Sequence, residues 1–168
     1  YLADEVLAHL PDETRRFLWQ TAVLNRLSAP LCTAVTGQEN SQAMLETLDD
    51  ANLFIIPLDD HRQWYRYHHL FRELLQHRLE SHYVKDEIAH LHRQASHWYQ
   101  QNGDWDEAFD HLCAAGDMDQ AVALIRQQAR TMLGAGKINR LLRWLTAVPE
   151  TRLLQDDELT LYLAWATF

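Results

Sequence analysis

The sequence predicts a mainly α-helical protein: a winged-helix domain with one small β-hairpin, followed by an arm of antiparallel helical repeats. Three observations support this fold class. Apolar residues recur at helical spacing along most of the 168 residues, one segment has the composition of a β-hairpin, and a six-residue corner pattern occurs twice in the second half. We expect two domains, the winged helix at residues 1–83 and the start of the arm at residues 84–168.

Four short helices are predicted before the hairpin. The first has apolar residues at every fourth position, and Pro11 can open the second, because proline is favoured in the first turn of a helix. Pro30 and Gly37 bracket the third helix, since a left-handed glycine commonly ends one. Asn40 or Ser41 can cap the fourth. Its apolar stripe is Met44, Leu45 and Leu48.

The hairpin is predicted at residues 53–67. Its first run is rich in β-branched and aromatic residues, the connection at residues 59–63 is polar, and the second run is aromatic, which together suit a two-stranded ribbon. A helix from His68 to about His82 follows. Its apolar stripe is Leu70, Phe71, Leu74, Leu75 and Leu79. Short helices, a hairpin and a further helix follow one another in this order in a winged-helix unit.

The arm is predicted from two similar corners between helices. The segments Gly103–Ala108 and Gly116–Ala121 match at four of six positions. In each, the glycine can end one helix in a left-handed conformation, the aspartate after it can cap the next helix, and Glu107 or Gln120 can bond back to the cap. Aromatic residues before the first corner and alanines after it resemble a tetratricopeptide-type helix pair. Later helices are predicted at residues 118–133 and 138–148, a further one starts at Pro149, and the last starts at residues 159–165.

Charge and composition restrict the partners. The net charge is −9: residues 1–60 carry three basic and ten acidic side chains, residues 61–100 six and four, and residues 101–168 six and ten. Because no basic stripe occurs, we expect no direct contact with nucleic acid. No apolar run approaches the ~20 residues of a membrane span, and the two cysteines lack metal-type spacing. We therefore expect a cytoplasmic protein that does not enter a membrane.

The sequence contains no catalytic constellation. Its five glycines form no phosphate-binding loop, no serine lies in a nucleophile elbow, and the ten histidines lack the spacing of a zinc site. We expect no catalytic residue, metal or cofactor in this chain. Asp59 and Asp60 are expected to serve a polar turn. Six helical histidines are expected to be solvated: His9, His77, His82, His90, His92 and His111.

His68 differs from these because it stands where a strand passes into a helix. There the ring can project near the free N–H groups of a helix N-terminus, a region that attracts phosphate. An imidazole in this place could donate a hydrogen bond to an oxygen of a nucleotide held by another domain. On the residues alone, the alternative that His68 merely caps the helix stays open.

Several segments of the chain resemble the MalT family. Members are large bacterial ATP-dependent transcription activators of the signal-transducing NTPase class, with a LuxR-type DNA-binding end. The resemblance is carried by residues 1–7, 17–18, 31–37, 53–60 and 64–71. It implies that this chain follows a nucleotide-binding domain, and that it comprises a winged-helix domain and the start of a helical arm leading to a sensor domain.

The resemblance also implies a site. In the wider class, a Met-His-Asp motif in the winged-helix domain places its histidine on the β-phosphate of ADP and holds the resting state closed. The segment 67–70 resembles that motif, with Tyr67 in place of methionine and His69 in place of aspartate. His68 would contact the phosphate, flanked by these two residues. The parent protein would bind ATP and ADP and slowly hydrolyse ATP. Its implied partners are the upstream NTPase domain, the downstream sensor domain and further copies of itself in the active state.

Three functional hypotheses follow. The first is a regulatory module that clamps the NTPase in its ADP form and swings aside when ATP and inducer bind. The second is direct DNA binding through the winged helix. The helix before the hairpin speaks against it, because it carries Glu46, Asp49 and Asp50 and no basic residue. The third is a protein-docking scaffold, which exposed aromatic or leucine patches over residues 95–168 would favour.

Overall fold

The computed structural model describes the backbone of residues 2–167 and the side chains of residues 5–167. These residues form eleven helices and one two-stranded sheet. The first elements are α1 (Leu2–His9), α2 (Asp12–Thr21), α3 (Ala29–Thr36), α4 (Ser41–Asp50), β1 (Ile55–Pro57) and β2 (Tyr65–Tyr67). The later elements are α5 (His69–His82), α6 (Lys85–Gln101), α7 (Trp105–Ala114), α8 (Met118–Gly134), α9 (Ile138–Ala147), α10 (Glu150–Leu153) and α11 (Asp157–Thr167). The predicted fold class, mainly helical with one hairpin, is confirmed.

The hairpin closes the winged-helix unit. β1 and β2 pair antiparallel, with Ile55 opposite Tyr67 and Pro57 opposite Tyr65. Leu27, between α2 and α3, exchanges two backbone hydrogen bonds of 2.8 Å with Tyr65, which ties the helices to the sheet. The core beneath is closely packed because side chains from all these elements are buried together. Its aliphatic and phenyl members include Phe17, Leu18, Leu24, Leu27, Leu31, Leu45, Leu48, Phe71 and Leu75.

Two details of this unit differ from the sequence prediction. The sequence predicts a strand from residue 53, but Asn52 and Phe54 have left-handed backbones (φ 50° and 58°), so the chain turns there and the strand begins at Ile55. The predicted apolar stripe of α5 includes Leu70, but 68% of that residue is exposed. The buried side of α5 is set at four-residue spacing by Phe71, Leu75 and Leu79.

Tight corners join the antiparallel helices of the arm. Gly103 and Gly116 both have left-handed backbones (φ 75° and 70°), as the corner pattern predicts. At the second corner, Asp117 caps α8, because its Oδ1 atom accepts a hydrogen bond of 3.3 Å from the backbone N–H of Gln120. The two corners therefore share their backbone conformation, and the helices on each side reverse direction within a few residues.

α6 packs on α3 and on α7, so it connects the winged-helix unit with the arm. Its buried residues include Leu91, Ala95 and Tyr99, and they continue the hydrophobic core of the first unit into the arm. Cys32 of α3 is buried in this core, where loss of solvation raises the pKa of its thiol to about 12. It therefore behaves as a small apolar residue.

Candidate functional site

The candidate site lies where β2 passes into α5. Phe54 has a left-handed backbone, and its ring stacks on that of Phe71 with centroids 4.6 Å apart. Its carbonyl oxygen accepts a hydrogen bond of 2.8 Å from the backbone N–H of His68. The carbonyl oxygen of His68 accepts another, of 2.9 Å, from the backbone N–H of Arg72. The backbone of His68 is thus held from both sides at the start of the helix.

Tyr67 holds β2 against the core through its buried side chain. It is buried, and its hydroxyl shares a hydrogen bond of 2.6 Å with Oγ1 of Thr21. Burial raises the pKa of the Tyr67 phenol, so the hydroxyl stays protonated. Successive side chains of a strand point to opposite sides. Because Tyr65 and Tyr67 point into the core, Arg66 is exposed between them and His68 is exposed after them.

The side chain of His68 is free at the surface. Among the described residues it has no hydrogen-bond or ion-pair partner, and it makes no cap bond to α5. Beside it, the first N–H groups of α5 have no partner within the helix and lie at the positive end of its dipole. His69 is exposed too, but its Nε2 atom lies 3.5 Å from Oε1 of Glu73.

A polar junction connects this helix to the arm. Nη2 of Arg72 donates to Oδ1 of Asn25 at 2.7 Å, and Nδ2 of Asn25 donates to Oε2 of Glu107 at 3.2 Å. Nη2 of Arg26 lies 3.1 Å from Oδ2 of Asp104. Sequence reasoning missed this junction, because both carboxylates carry the pattern of a helix cap. Their partners are 82 and 78 residues away along the chain.

A histidine pair lies in a groove of about 400 Å³ between the two units. The Nδ1 atoms of His92 and His111 are 2.8 Å apart, so one ring donates a hydrogen bond to the other. The ring of His111 also stacks on that of Tyr99, with centroids 5.6 Å apart. The expectation of solvated rings is wrong for His111, which is 4% exposed, and His92 is half-buried.

Burial governs the chemistry of this pair. Loss of solvation, together with the charges of His92 and Arg72, lowers the pKa of His111 to about 3. Loss of solvation also lowers the pKa of His92. Both rings are therefore neutral at pH 7. A signal was present in the sequence, because His111 lies three residues after Ala108 and next to Leu112, on the apolar side of its helix.

Other features bear on the remaining hypotheses. Asp59 serves the hairpin turn as expected, since its carboxylate accepts backbone N–H bonds from His61, Gln63 and Trp64, which lower its pKa. Among the described side chains, no three histidine, cysteine or acidic groups are arranged to hold a metal ion. No helix in the described part of the chain has both the length and the apolar character of a membrane span.

Apolar side chains are exposed on α11 and in the segment before it. Leu154 of the segment after α10 is 71% exposed, and Leu161 and Trp165 of α11 are 45% and 56% exposed. The latter two are four residues apart and lie on the same side of the helix. Exposed leucine and aromatic residues in this region favour the protein-docking hypothesis.

Comparison with known proteins gives a consistent family match. The family described as MalT winged helix domain matches residues 3–87. The serine/threonine-protein kinase PknK of Mycobacterium tuberculosis is 36% identical over 99% of this chain, which covers 15% of the kinase. The HTH-type transcriptional regulators MalT of Klebsiella pneumoniae and Cronobacter sakazakii are 34% and 33% identical over 98% of this chain, which covers 18% of each. The chain thus spans less than a fifth of the length of these relatives.

Proposed function

The chain belongs to the MalT winged helix domain family, and on that premise we propose that it is a non-catalytic regulatory module of an ATP-dependent bacterial transcription activator. The module couples the ADP or ATP state of an upstream NTPase domain to inducer sensing by a downstream domain and to self-association. The nucleotide is held by the neighbouring domain. This chain supplies a side chain that recognises its diphosphate and keeps the resting state closed.

The exposed, unpaired ring of His68 is the observation that carries this proposal. Its backbone is fixed at two hydrogen bonds and its strand is anchored by a buried tyrosine, whereas its side chain has no partner among the described residues. The backbone is fixed while the side chain is unpaired and exposed at a helix N-terminus. This arrangement suits recognition of an anion from outside the domain. The resemblance implies that this residue corresponds to the phosphate-contacting histidine of the wider class.

The relatives support a regulatory role rather than a catalytic one. One of them is named a kinase and the others transcriptional regulators, yet all contain a region similar to this entire chain. A segment shared by proteins with such different names fits a module that controls other domains. The energy required is modest, since coupling between sites is typically about 1 to 3 kcal/mol and one charge-assisted hydrogen bond supplies about as much.

Replacing the histidine tests the proposal. In the full-length protein, we expect His68→Ala to accelerate ADP dissociation about tenfold, the equivalent of ~1.4 kcal/mol, because the diphosphate loses one donor. Transcription without inducer should rise in parallel, since the closed state is less favoured. The measurements are release of a fluorescent ADP analogue after chase with unlabelled ATP, and reporter transcription with and without inducer.

His77→Ala is the matched control. His77 lies on the same helix and is exposed, but it is two turns away from the helix N-terminus. Its replacement should leave ADP release and basal transcription unchanged. Identical ADP release by His68→Ala and the unmodified protein would exclude the phosphate contact, and the module would then be a spacer between other domains.

A further inference from the structure

The two corners of the arm have the same backbone but different side-chain partners. Asp104 and Asp117 each precede a helix, with closely similar dihedral angles (φ −90°, ψ 78° and φ −88°, ψ 67°). Asp117 caps its own helix through the backbone N–H of Gln120. Asp104 makes no cap bond. The local sequence at both corners permits a cap. The missing cap at Asp104 must therefore be due to competing partners outside the first corner.

The loop between α2 and α3 provides the competing partners. Arg26 pairs with Asp104, and Asn25 donates to Glu107, the residue that a capping box would use. The ion pair is open to solvent, since the side chains of Arg26 and Asp104 are 44% and 39% exposed. An exposed pair of this kind is weak and exchanges readily. A helix cap is of comparable strength, so Asp104 has two alternatives that are close in free energy.

The same loop is attached to the helix that starts at the phosphate-sensing histidine. Arg72 lies one turn after His68, bonds to its carbonyl oxygen through the backbone, and holds Asn25 through its guanidinium. Arg26 is braced as well, since its guanidinium lies 5.1 Å from the centre of the Trp64 ring on the hairpin. A shift of α5 or of the hairpin therefore acts directly on Asn25 and Arg26.

We propose that the Asn25–Arg26 loop relays the nucleotide state sensed at His68 to the arm, by holding the first corner in a docked form or releasing it to cap its own helix. In the docked form, Asp104 and Glu107 bind the loop. In the released form, Asp104 turns back to the first-turn N–H groups of α7, as Asp117 does at α8. The inference rests on the proposed function of His68, and it adds the two-state element through which that site acts on the arm.

The exchange of Asp104 between the Asn25–Arg26 loop and the cap of α7, here called the latch, can be tested in this chain without nucleotide. Arg26→Gln removes the ion pair and leaves the hydrophobic core untouched. We expect Asp104 to become the cap of α7, so the Glu107 amide should move downfield in the ¹H–¹⁵N NMR spectrum and its exchange with solvent should slow about threefold. The double variant Asn25→Ala with Arg26→Gln should have the same effect, because it releases Glu107 as well as Asp104. An unchanged or faster-exchanging Glu107 amide in both variants would overturn the latch.

The relay requires the full-length protein. Amide exchange of the peptide covering the first turn of α7 should differ between the ADP-loaded and nucleotide-free forms, and Asn25→Ala should abolish that difference while ADP release stays within about twofold of the unmodified protein. Asp117→Ala is the control, because it removes the cap of the second corner only and should leave the nucleotide response of α7 intact. A nucleotide response that survives Asn25→Ala, or none in the unmodified protein, would overturn the relay.

Failure of the relay and failure of the phosphate contact give different results. If His68→Ala accelerates ADP release but Asn25→Ala leaves the response of α7 unchanged, the contact stands and the relay is wrong. If His68→Ala leaves ADP release unchanged, the phosphate contact is wrong, whatever the Arg26→Gln spectrum shows. The NMR result on the corner then describes only a local exchange between a cap and an ion pair.

Discussion

The burial and the protonation state of His111 are set by the side chains that immediately surround it. His111 is buried because one face of its ring stacks on Tyr99 and its Nδ1 atom bonds to His92. Its Nε2 atom has no partner among the described residues. A charged ring in this place would lose its hydration without gaining a counter-ion, so the neutral form is the one that packs. Burial thus turns an ordinary surface residue type into a pH-dependent element of the core.

The depressed pKa of His111 makes the stability of the fold pH-dependent. In the unfolded chain the pKa of the ring is ~6.5, whereas burial and the charges of His92 and Arg72 lower its pKa in the fold to about 3. Between these values the unfolded state binds more protons, so stability falls as the pH falls from about 6.5 towards 3. The free energy of unfolding falls by up to about 1.4 kcal/mol per pH unit for one such group.

Replacing this ring should flatten the pH profile. His111→Gln is less stable at pH 7, because the stack on Tyr99 is lost, but we expect its disadvantage to shrink by about 1 kcal/mol for each pH unit below 6. Urea unfolding at pH 7, 6 and 5 measures this. His77→Gln, at an exposed position of α5, is the control. Its free energy of unfolding should change with pH in parallel with that of the unmodified chain. If the free energy of unfolding of His111→Gln changes with pH in parallel with that of the unmodified chain, His111 takes up a proton in the fold as readily as in the unfolded chain.

At the scale of elements, the second aspartate of each corner links a helix to a later one. Oδ1 of Asp106 accepts hydrogen bonds from Nε of Arg140 at 2.8 Å, Nη2 of Arg143 at 2.8 Å and Nε1 of Trp144 at 2.9 Å. Burial alone would raise the pKa of Asp106, but these bonds outweigh it and lower the pKa. Asp119 occupies the equivalent place in the second corner and pairs with an arginine of α10.

The two equivalent aspartates should differ in their contribution to stability. Asp106→Ala leaves the N–H of the fully buried Trp144 without an acceptor, so we expect a loss of about 2 to 3 kcal/mol in the free energy of unfolding. Asp119 is 82% exposed, and Asp119→Ala should cost less than about 1 kcal/mol. Urea unfolding at pH 7 compares the two. Equal losses would show that the buried indole does not depend on Asp106.

The elements themselves could be predicted because their signals are local. Glycines at corners, apolar residues at helical spacing and the aromatic hairpin gave the winged-helix fold and the helical arm, and they placed His68 between strand and helix. The partners of Asp104 could not be predicted, whereas the burial of His111 was indicated by its place on the apolar side of α7. The same Gly-Asp corner serves as a cap or as an interdomain contact, and only packing across about 80 residues of chain decides which. The phosphate contact of His68 stays a prediction.

At the scale of the whole molecule, charge determines which partners the winged helix can accept. α4, which precedes the hairpin, contains Glu46, Asp49 and Asp50 and no basic residue. The hairpin adds Arg62 at its tip, but Nη1 of this side chain lies 3.1 Å from Oδ2 of Asp49 and 3.9 Å from Oδ1 of Asp50. The charge of Arg62 is thus partly neutralised by acidic residues of α4 itself. A surface arranged in this way repels the phosphates of a duplex.

We therefore expect no binding to duplex DNA by this chain, even at low salt. Non-specific DNA-binding proteins typically have dissociation constants of roughly 1 to 100 μM, so an anisotropy titration of a labelled duplex to ~100 μM protein in ~50 mM salt suffices. Reversing charge in the variant Glu46→Lys with Asp50→Lys provides the positive control, because α4 would gain two cations beside Arg62 and should bind with strong salt dependence. Binding by the unmodified chain at similar affinity would show that another face of the molecule, not α4, contacts DNA. The chain would then contact nucleic acid directly, and the hypothesis of direct DNA binding would have to be taken up again on that other face.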